Sequence, residues 1–216
     1  MPWFYYVGKV LVRMMMFLLT RWQVKGKENV PRQGPLLVVS NHLHAGDPPV
    51  IGVSLGRVAI FMAKDELFRS RCKAYFLRGF GSFSVHRGKL DRKAIRQSEQ
   101  VLADGLALVM FPEGSRSQNA QLQPGLLGSA LIVSRNGVPI LPVGLTGSEK
   151  IKGWSWMLRR PRITVNIGKP FYLPPAGSKL TKGELAEHTT IIMERIAELL
   201  PPEYRGVYGG RKNQKA

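Results

Sequence analysis

Cysteine is nearly absent from this sequence, which contains a single example, Cys72, among 216 residues. One thiol excludes an intrachain disulfide and a metal cluster built on cysteine, and it agrees with a reducing, cytosol-facing environment. Acidic residues are also scarce, because 14 Asp and Glu stand against 32 Lys and Arg, a formal net charge of +18. This excess favours anionic partners, namely phosphates, nucleic acid or an acidic membrane surface, and charge does not choose among them.

An uncharged apolar run long enough to cross a membrane is missing too, because Lys9 and Arg13 interrupt the aromatic-rich stretch from Trp3 to Trp22. The stretch also lacks the early positive charge and small-residue cleavage site of a signal peptide. A helix lying in the membrane interface fits the pattern better, with a narrow basic stripe, a wide apolar face and tryptophans near both ends. The alternative is a core helix of a soluble domain.

The rest of the chain contains no internal repeat and no interdomain linker, and its length suits one domain with a substantial core. We therefore predict an amphipathic membrane-interface helix over 1–22, a single domain over 23–205 and a basic, flexible tail over 206–216.

Short β-rich runs alternate with helical patterns along this domain. The predicted strands are 36–40, 58–63, 82–86, 107–111, 140–144 and 163–167, and the predicted helices are 92–103, 126–136 and 181–200. The last helix opens with a capping box at Thr181, and Gly137 closes the one before it. This alternation predicts an α/β fold with a mixed, mostly parallel sheet flanked by helices.

The stretch Ser-Asn-His-Leu-His-Ala-Gly-Asp directly follows the apolar run 36–39, where working residues of an α/β sheet are expected. If the turn folds back, the carboxylate of Asp47 accepts a hydrogen bond from His42, which leaves the other ring nitrogen as a general base. No Ser lies in a nucleophile-elbow pattern, and Cys72 is remote. A His–Asp pair without its own nucleophile indicates that the base activates a hydroxyl of the substrate.

The spacing of His42 and Asp47 is weak support by itself, and two other interpretations stay open. His42, His44 and Asp47 are possible metal ligands, although no third partner elsewhere in the sequence is convincing. Alternatively, Asp47 caps the helix that Pro48 and Pro49 would open, and His42 is only packed.

Three further stretches carry polar residues or prolines at predicted strands. Arg87 closes Gly-Ser-Phe-Ser-Val-His-Arg, and the stretch Phe-Pro-Glu-Gly-Ser-Arg-Ser contains Glu113, Gly114, Ser115 and Arg116. Arginine suits phosphate recognition because its guanidinium is a bidentate donor, and glycine lets a substrate approach the backbone. The third stretch, 138–144, is an apolar strand that contains two prolines.

In this order, the blocks resemble those of the glycerolipid acyltransferase family typified by 1-acyl-sn-glycerol-3-phosphate acyltransferase. The family patterns N-H-x-S-x-x-D, G-x-I-x-V-x-R, F-P-E-G-T-R-S and V-P-I-x-P-V are similar to residues 41–47, 81–87, 111–117 and 138–143. Lesser similarities, including Lys64 in 63–67, extend the resemblance over about residues 20 to 173. His44 departs from the pattern, since the family often has Ser there.

The resemblance implies an acyltransferase that moves a fatty acyl group from an acyl thioester to the hydroxyl of lysophosphatidic acid, without an acyl-enzyme. It implies His42 as base and Asp47 as its orienting carboxylate, Arg87, Arg116 and Lys64 as phosphate ligands, and Glu113, Gly114 and Ser115 as further substrate contacts. The expected partners are acyl-CoA or acyl carrier protein, a lysophospholipid and the cytoplasmic face of the cell membrane. No metal or cofactor is expected.

Two alternatives concern the function itself. The first is the same chemistry on glycerol 3-phosphate or another lysolipid. A non-catalytic basic module that binds membrane or nucleic acid is the competing class. Nucleic acid is not expected, because no helix-turn-helix, finger or RNP-like motif is present, and Arg159, Arg160 and Arg162 lie near Trp154 and Trp156, which suits lipid headgroups.

Overall fold

The structure, a computed structural model, describes residues 1–86, 91–175 and 180–210. The strands are β1 (Arg21–Lys25), β2 (Leu36–Ser40), β3 (Ala59–Lys64), β4 (Ser82–Val85), β5 (Ala107–Met110), β6 (Ile140–Thr146) and β7 (Arg162–Ile167). The helices are α1 (Trp3–Leu19), α2 (Asp47–Ser54), α3 (Arg71–Gly79), α4 (Arg92–Ala103), α5 (Gly128–Asn136), α6 (Trp156–Arg159) and α7 (Lys182–Glu198).

The strands form one sheet in the order β1-β7-β6-β2-β5-β3-β4. Every neighbouring pair is parallel except β6 with β7, which is antiparallel. The predicted mixed, mostly parallel α/β sheet is therefore confirmed. Its central strand, β2, lies between β5 and β6, so whatever follows β2 sits in the middle of one sheet edge.

Helices cover both faces of the sheet. Leu36 and Val38 of β2 pack on the side of α1 and α2, whereas Leu37 and Val39 pack on the side of α4, α5 and α7. Because successive strand side chains point to opposite faces, a strand covered on both sides reads as an unbroken apolar run. This is why all five residues of β2 are buried.

Several predicted elements have the predicted bounds or nearly so. The helix over 92–103 and the strand over 36–40 are confirmed, as are the capping box at Thr181 and the left-handed Gly137 that ends α5. Helix α7 ends at Glu198 rather than at residue 200. Helix α5 begins two residues later than predicted, because the N–H of Leu126 donates to the carbonyl of Pro112 and holds that residue on the loop after β5.

The amino-terminal helix is shorter than the predicted 1–22 segment. It ends at Leu19, where the Thr20 backbone is extended, and the Arg21 N–H then donates to the Pro161 carbonyl as β1 begins beside β7. Strand β1 was missed because its partner lies about 140 residues away in the chain, so nothing local marks its start.

Lys9 of α1 contacts the protein, whereas Arg13 of the same helix is exposed, and this corrects the expectation that Lys9 forms part of a basic stripe toward headgroups. The Lys9 ammonium donates to the Arg57 carbonyl at 3.1 Å and lies over the Tyr5 ring. Burial lowers the pKa of Lys9. The outward side of α1 carries exposed apolar residues, namely Trp3, Tyr6, Val7, Val10, Leu11, Met14, Met15, Phe17 and Leu18. Within the described ranges, no helix has the length and apolar character needed to span a bilayer.

Candidate active site

The predicted site residues gather at one edge of the sheet, because β2, β3, β4 and β5 are parallel and their carboxyl ends point the same way. His42 lies two residues after β2, Lys64 ends β3, and residues 113–116 follow β5. Arg87 lies outside the described residues. The described residues on either side of that segment are joined, since the His86 N–H donates to Asp91 Oδ2 at 2.9 Å.

His42 and Asp47 form a close pair. His42 Nδ1–H donates to Asp47 Oδ2 at 2.8 Å, and both side chains are almost fully buried. A proton on Nδ1 leaves Nε2 as the basic nitrogen of the neutral ring. No group in the described part of the chain bonds to Nε2.

Asp47 Oδ2 also closes the loop that contains the pair. It accepts the backbone N–H groups of Leu43 at 2.6 Å and His44 at 2.7 Å. Both donors precede α2, whose N-cap is Gly46 and which receives no side-chain cap. The alternative in which Asp47 only caps this helix is therefore wrong. The second oxygen, Oδ1, is buried and bonds to no group among the described residues.

The backbone and ring of His42 are held from the β5 side. Its N–H donates to Glu113 Oε1 at 2.8 Å, and its carbonyl accepts the Ser117 N–H at 2.8 Å. The imidazole stacks on Phe111, with 4.1 Å between ring centroids. Because β5 neighbours β2, three chemical groups on and after β5 fix the position of His42.

Glu113 is 6% exposed, and both of its oxygens accept backbone N–H groups. Oε1 binds His42, and Oε2 binds Gln123 at 2.8 Å. Burial raises the pKa of Glu113 to about 7, the charge of Asp47 adds to this, and the two N–H donors oppose it. The predicted contact with the acceptor stays a prediction, since the observed contacts join two loops of the site.

Gly114 has a local reason to be glycine. Its φ is +70°, and a Cβ there would lie 2.4 Å from Leu126. Its N–H donates to the Phe111 carbonyl in a turn, whereas in the described part of the chain the N–H groups of Ser115 and Arg116 bond to nothing. Substrate contact by Gly114 stays a prediction.

Three other predicted residues present side chains to solvent. Ser115 and Arg116 are exposed, and Lys64 is half exposed and pairs with Glu66 at 3.0 Å. Solvent-exposed cations at this edge remain accessible to an anionic substrate.

His44, which departs from the family pattern, does not disturb the pair. Its Nδ1 accepts the N–H of Gly46 at 3.1 Å. Among the described residues, no group of three His, Cys, Asp or Glu side chains is arranged to hold a metal ion.

Asn41 was not among the predicted site residues, although it precedes His42. Its side chain donates to the Leu145 carbonyl and accepts the Leu145 N–H, both at 2.8 Å. This pair of bonds attaches the start of the His42 loop to β6. The signal for Asn41 was its place in the first sequence block, but the partner strand is visible only in the fold.

The arrangement places the buried His42–Asp47 pair at the centre of the sheet edge, between exposed cations and a buried glutamate that holds the His42 backbone. The sequence profile of the family described as Acyltransferase matches residues 21–146, which contain all of these groups. This chain belongs to the acyltransferase family. Helix α1 and everything after β6 lie outside the matched range.

Relatives of this acyltransferase-family chain carry more specific names. It is 32% identical over 162 residues to the 1-acyl-sn-glycerol-3-phosphate acyltransferase of Streptococcus pneumoniae, covering 71% of this chain and 59% of the relative. It is 26% identical over 178 residues to the Bacillus subtilis protein of the same name, covering 82% and 87%. The chain thus spans less than two thirds of the first relative's length.

A solved structure has the same fold as this acyltransferase-family chain. The 1-acyl-sn-glycerophosphate acyltransferase of Thermotoga maritima superposes with a TM-score of 0.69 at 24% identity, over 90% of this chain and 79% of that one. At this identity the likeness concerns the fold.

Proposed function

We propose that this protein transfers a fatty acyl group from an acyl thioester to the free hydroxyl of lysophosphatidic acid, giving phosphatidic acid for phospholipid synthesis. The observation that carries the proposal is the buried His42–Asp47 pair. His42 Nε2 bonds to no described group, so it is available to accept the proton of a substrate hydroxyl. The names of the relatives support the choice of acceptor.

The reaction needs one base and no protein nucleophile. His42 Nε2 takes the proton of the acceptor hydroxyl while its oxygen attacks the thioester carbonyl. Asp47 stabilises the imidazolium that forms. The tetrahedral intermediate then collapses, the C–S bond breaks, and the imidazolium returns its proton to the leaving thiolate. Cys72 is exposed on α3, and the Ser117 hydroxyl lies within hydrogen-bond distance of Asn119 Oδ1 and the Gln121 carbonyl, which agrees with transfer without an acyl-enzyme.

The developing oxyanion requires donors close to the base. The N–H groups of Ser115 and Arg116 have no partner among the described groups, and both residues lie between Glu113 and Ser117, which bond to the His42 backbone. We assign the oxyanion contact to these two groups, because unpaired backbone donors beside the reacting carbon stabilise charge as it forms.

Cationic side chains would bind the anionic substrates. Arg87, Arg116 and Lys64 are the proposed ligands of the acceptor phosphate, with Glu113, Gly114 and Ser115 around them. The formal net charge of +18 suits either donor, acyl-CoA or acyl carrier protein, since both are anionic.

The outward apolar side of α1 is the proposed membrane contact. A row of nine exposed apolar residues on one helix is unusual for a protein surface that faces only water. Because lysolipid and product both reside in bilayers, we place the protein on the cytoplasmic face of the membrane as a peripheral or monotopic enzyme.

Release of free thiol from acyl-CoA, or from acyl carrier protein, tests the proposal with purified protein. We expect release that requires lysophosphatidic acid, and parallel arms with glycerol 3-phosphate and other lysolipids identify the preferred acceptor. Absence of acceptor-dependent release with every donor and acceptor would contradict the proposal and favour a non-catalytic binding module.

A further inference from the structure

A second element places apolar side chains in solvent. It is the segment 152–160, part of the connection between β6 and β7, which contains α6 and which we name the tryptophan turn. Trp154 is 73% exposed and Leu158 is 77% exposed, close to the values for residues of the outward side of α1 such as Phe17. Exposure of a tryptophan and a leucine on one short turn leaves their apolar area without a partner in the described chain.

Cations accompany these apolar residues without any acidic neighbour in sequence. Lys152 and Arg159 are exposed within the turn. The ranges 1–27 and 150–183, which contain α1 and the turn, include 13 of the 32 Lys and Arg and no Asp or Glu. The exposed Lys152 and Arg159 thus give the turn a positive charge that complements anionic lipid headgroups.

The turn lies against the end of α1. The Arg160 guanidinium donates to the Phe17 carbonyl at 3.2 Å, and the Pro161 carbonyl accepts the Arg21 N–H at 3.0 Å. Ile151, just before the turn, packs on the same core cluster as Met16 of α1. The tryptophan turn and α1 therefore occupy the same side of the sheet and meet at the carboxyl end of the helix.

The backbone presents the turn as a defined structure. Arg160 has a φ of +44°, and its N–H donates to the Trp156 carbonyl at 3.0 Å, which ends α6 before Pro161. Little rearrangement is then needed to place Trp154 and Leu158 in a lipid surface. Tryptophan at headgroup depth with flanking Lys and Arg is the composition of membrane-interface segments.

We propose that the tryptophan turn is a second membrane contact, in which Trp154 and Leu158 enter the interface and Lys152 and Arg159 contact lipid phosphates. The proposal rests on the proposed function only in taking a bilayer as the place of reaction. Two contacts, at α1 and at the turn, fix the orientation of the sheet edge relative to the bilayer more strictly than one helix can.

A matched pair of variants tests the contribution of the turn in the full-length protein. Leu158→Ser should weaken binding to vesicles of equal phosphatidylglycerol and phosphatidylcholine about threefold to tenfold, because buried apolar area is lost. Val207→Ser is the control, since Val207 is 59% exposed on a 3-10 turn against α7, on the opposite side of the sheet. Equal vesicle binding by the two variants would overturn the proposal, because Leu158 would then contribute no more than a residue on the opposite side of the sheet.

A single-tryptophan protein locates the contact directly. With Trp3, Trp22 and Trp156 replaced by Phe, the emission of Trp154 should shift to shorter wavelength on vesicle addition and be quenched by brominated lipid. Unchanged emission while the protein floats with vesicles would overturn the proposal. Turnover of a short-chain, water-soluble acceptor separates the two proposals. The Leu158→Ser protein should retain this turnover, because the reaction then needs no membrane. If the unsubstituted protein also lacks this turnover, the result counts against the acyltransferase activity and not against the membrane contact.

Discussion

Glu113 carries a buried carboxyl whose ionisation should be visible in the pH dependence of stability. Burial raises its pKa from 4.5 to about 7. Below about pH 4.5 the group is protonated in both folded and unfolded chains. As the pH rises toward 7 the unfolded chain releases this proton first, so the stability that the protonated group contributes is progressively lost and is gone above the folded pKa.

We therefore expect the substitution Glu113→Gln to change the pH dependence of the free energy of unfolding. Relative to this variant, the unsubstituted protein should lose about 1–3 kcal/mol of stability between about pH 5 and about pH 8, since one pKa unit corresponds to about 1.4 kcal/mol. Urea unfolding at both pH values measures it. Glu187→Gln, on the exposed surface of α7, is the control. A pH-independent difference between the Glu113→Gln and unsubstituted proteins would mean that Glu113 titrates normally.

Arg87 is the residue on which acceptor recognition is proposed to depend. Arg87→Lys keeps the positive charge but removes the bidentate donor, so the KM for the phosphate-bearing acceptor should rise about tenfold while the KM for the donor changes little. Steady-state kinetics with each substrate varied in turn measures both constants. A change confined to the donor KM would remove Arg87 from the acceptor site.

At the residue scale, sequence spacing and family resemblance were enough to predict the contact between His42 and Asp47, because both lie in one short loop. They were not enough to predict that Glu113 binds the His42 N–H, 71 residues away in the chain. That contact depends on β2 and β5 being neighbours, and strand order is not visible in a local pattern.

At the scale of elements, α1 is the clearest separate unit. We expect Val10→Ser with Phe17→Ser to reduce flotation with anionic vesicles by about tenfold or more, because both residues lie on its exposed apolar side. Substitution is a sharper test than removal of residues 1–22, which would also delete Arg21 and Trp22 of β1. Turnover of a water-soluble acceptor should persist. Unchanged flotation would show that α1 is not the anchor.

The elements also show where sequence patterns are informative. The run Leu36–Ser40 predicted β2 because a strand buried on both faces is continuously apolar. Helix α3 gave no comparable signal. Among its described residues Ala74 has the one buried apolar side chain, so the helix has no buried apolar stripe that the sequence could reveal. The sequence also did not show which side of α1 packs on the protein, because the burial of Lys9 depends on its contact with Arg57, in the connection after α2.

At the scale of the whole molecule, the two proposed membrane contacts share one side of the sheet, and His42 lies at the sheet edge formed by the carboxyl ends of the parallel strands. Long-range attraction between a cationic surface and anionic lipid weakens as salt screens it, with a Debye length of about 10 Å at 0.1 M. Binding through the exposed apolar residues should depend less on salt than binding through the cations. The salt dependence of vesicle binding therefore separates the apolar from the electrostatic contribution.

The central claim is that His42, oriented by Asp47, removes the proton of the acceptor hydroxyl. Its most direct test is the rate of phosphatidic acid formation, followed by mass spectrometry, for the unsubstituted protein, His42→Ala, Asp47→Asn and the control His44→Ser. We predict a loss on the order of 10²–10⁴ in rate for His42→Ala, an equal or smaller loss for Asp47→Asn, and near-normal rates for His44→Ser, all in protein that is still folded at the assay temperature. Phosphatidic acid formation by folded His42→Ala at the unsubstituted rate would contradict the mechanism.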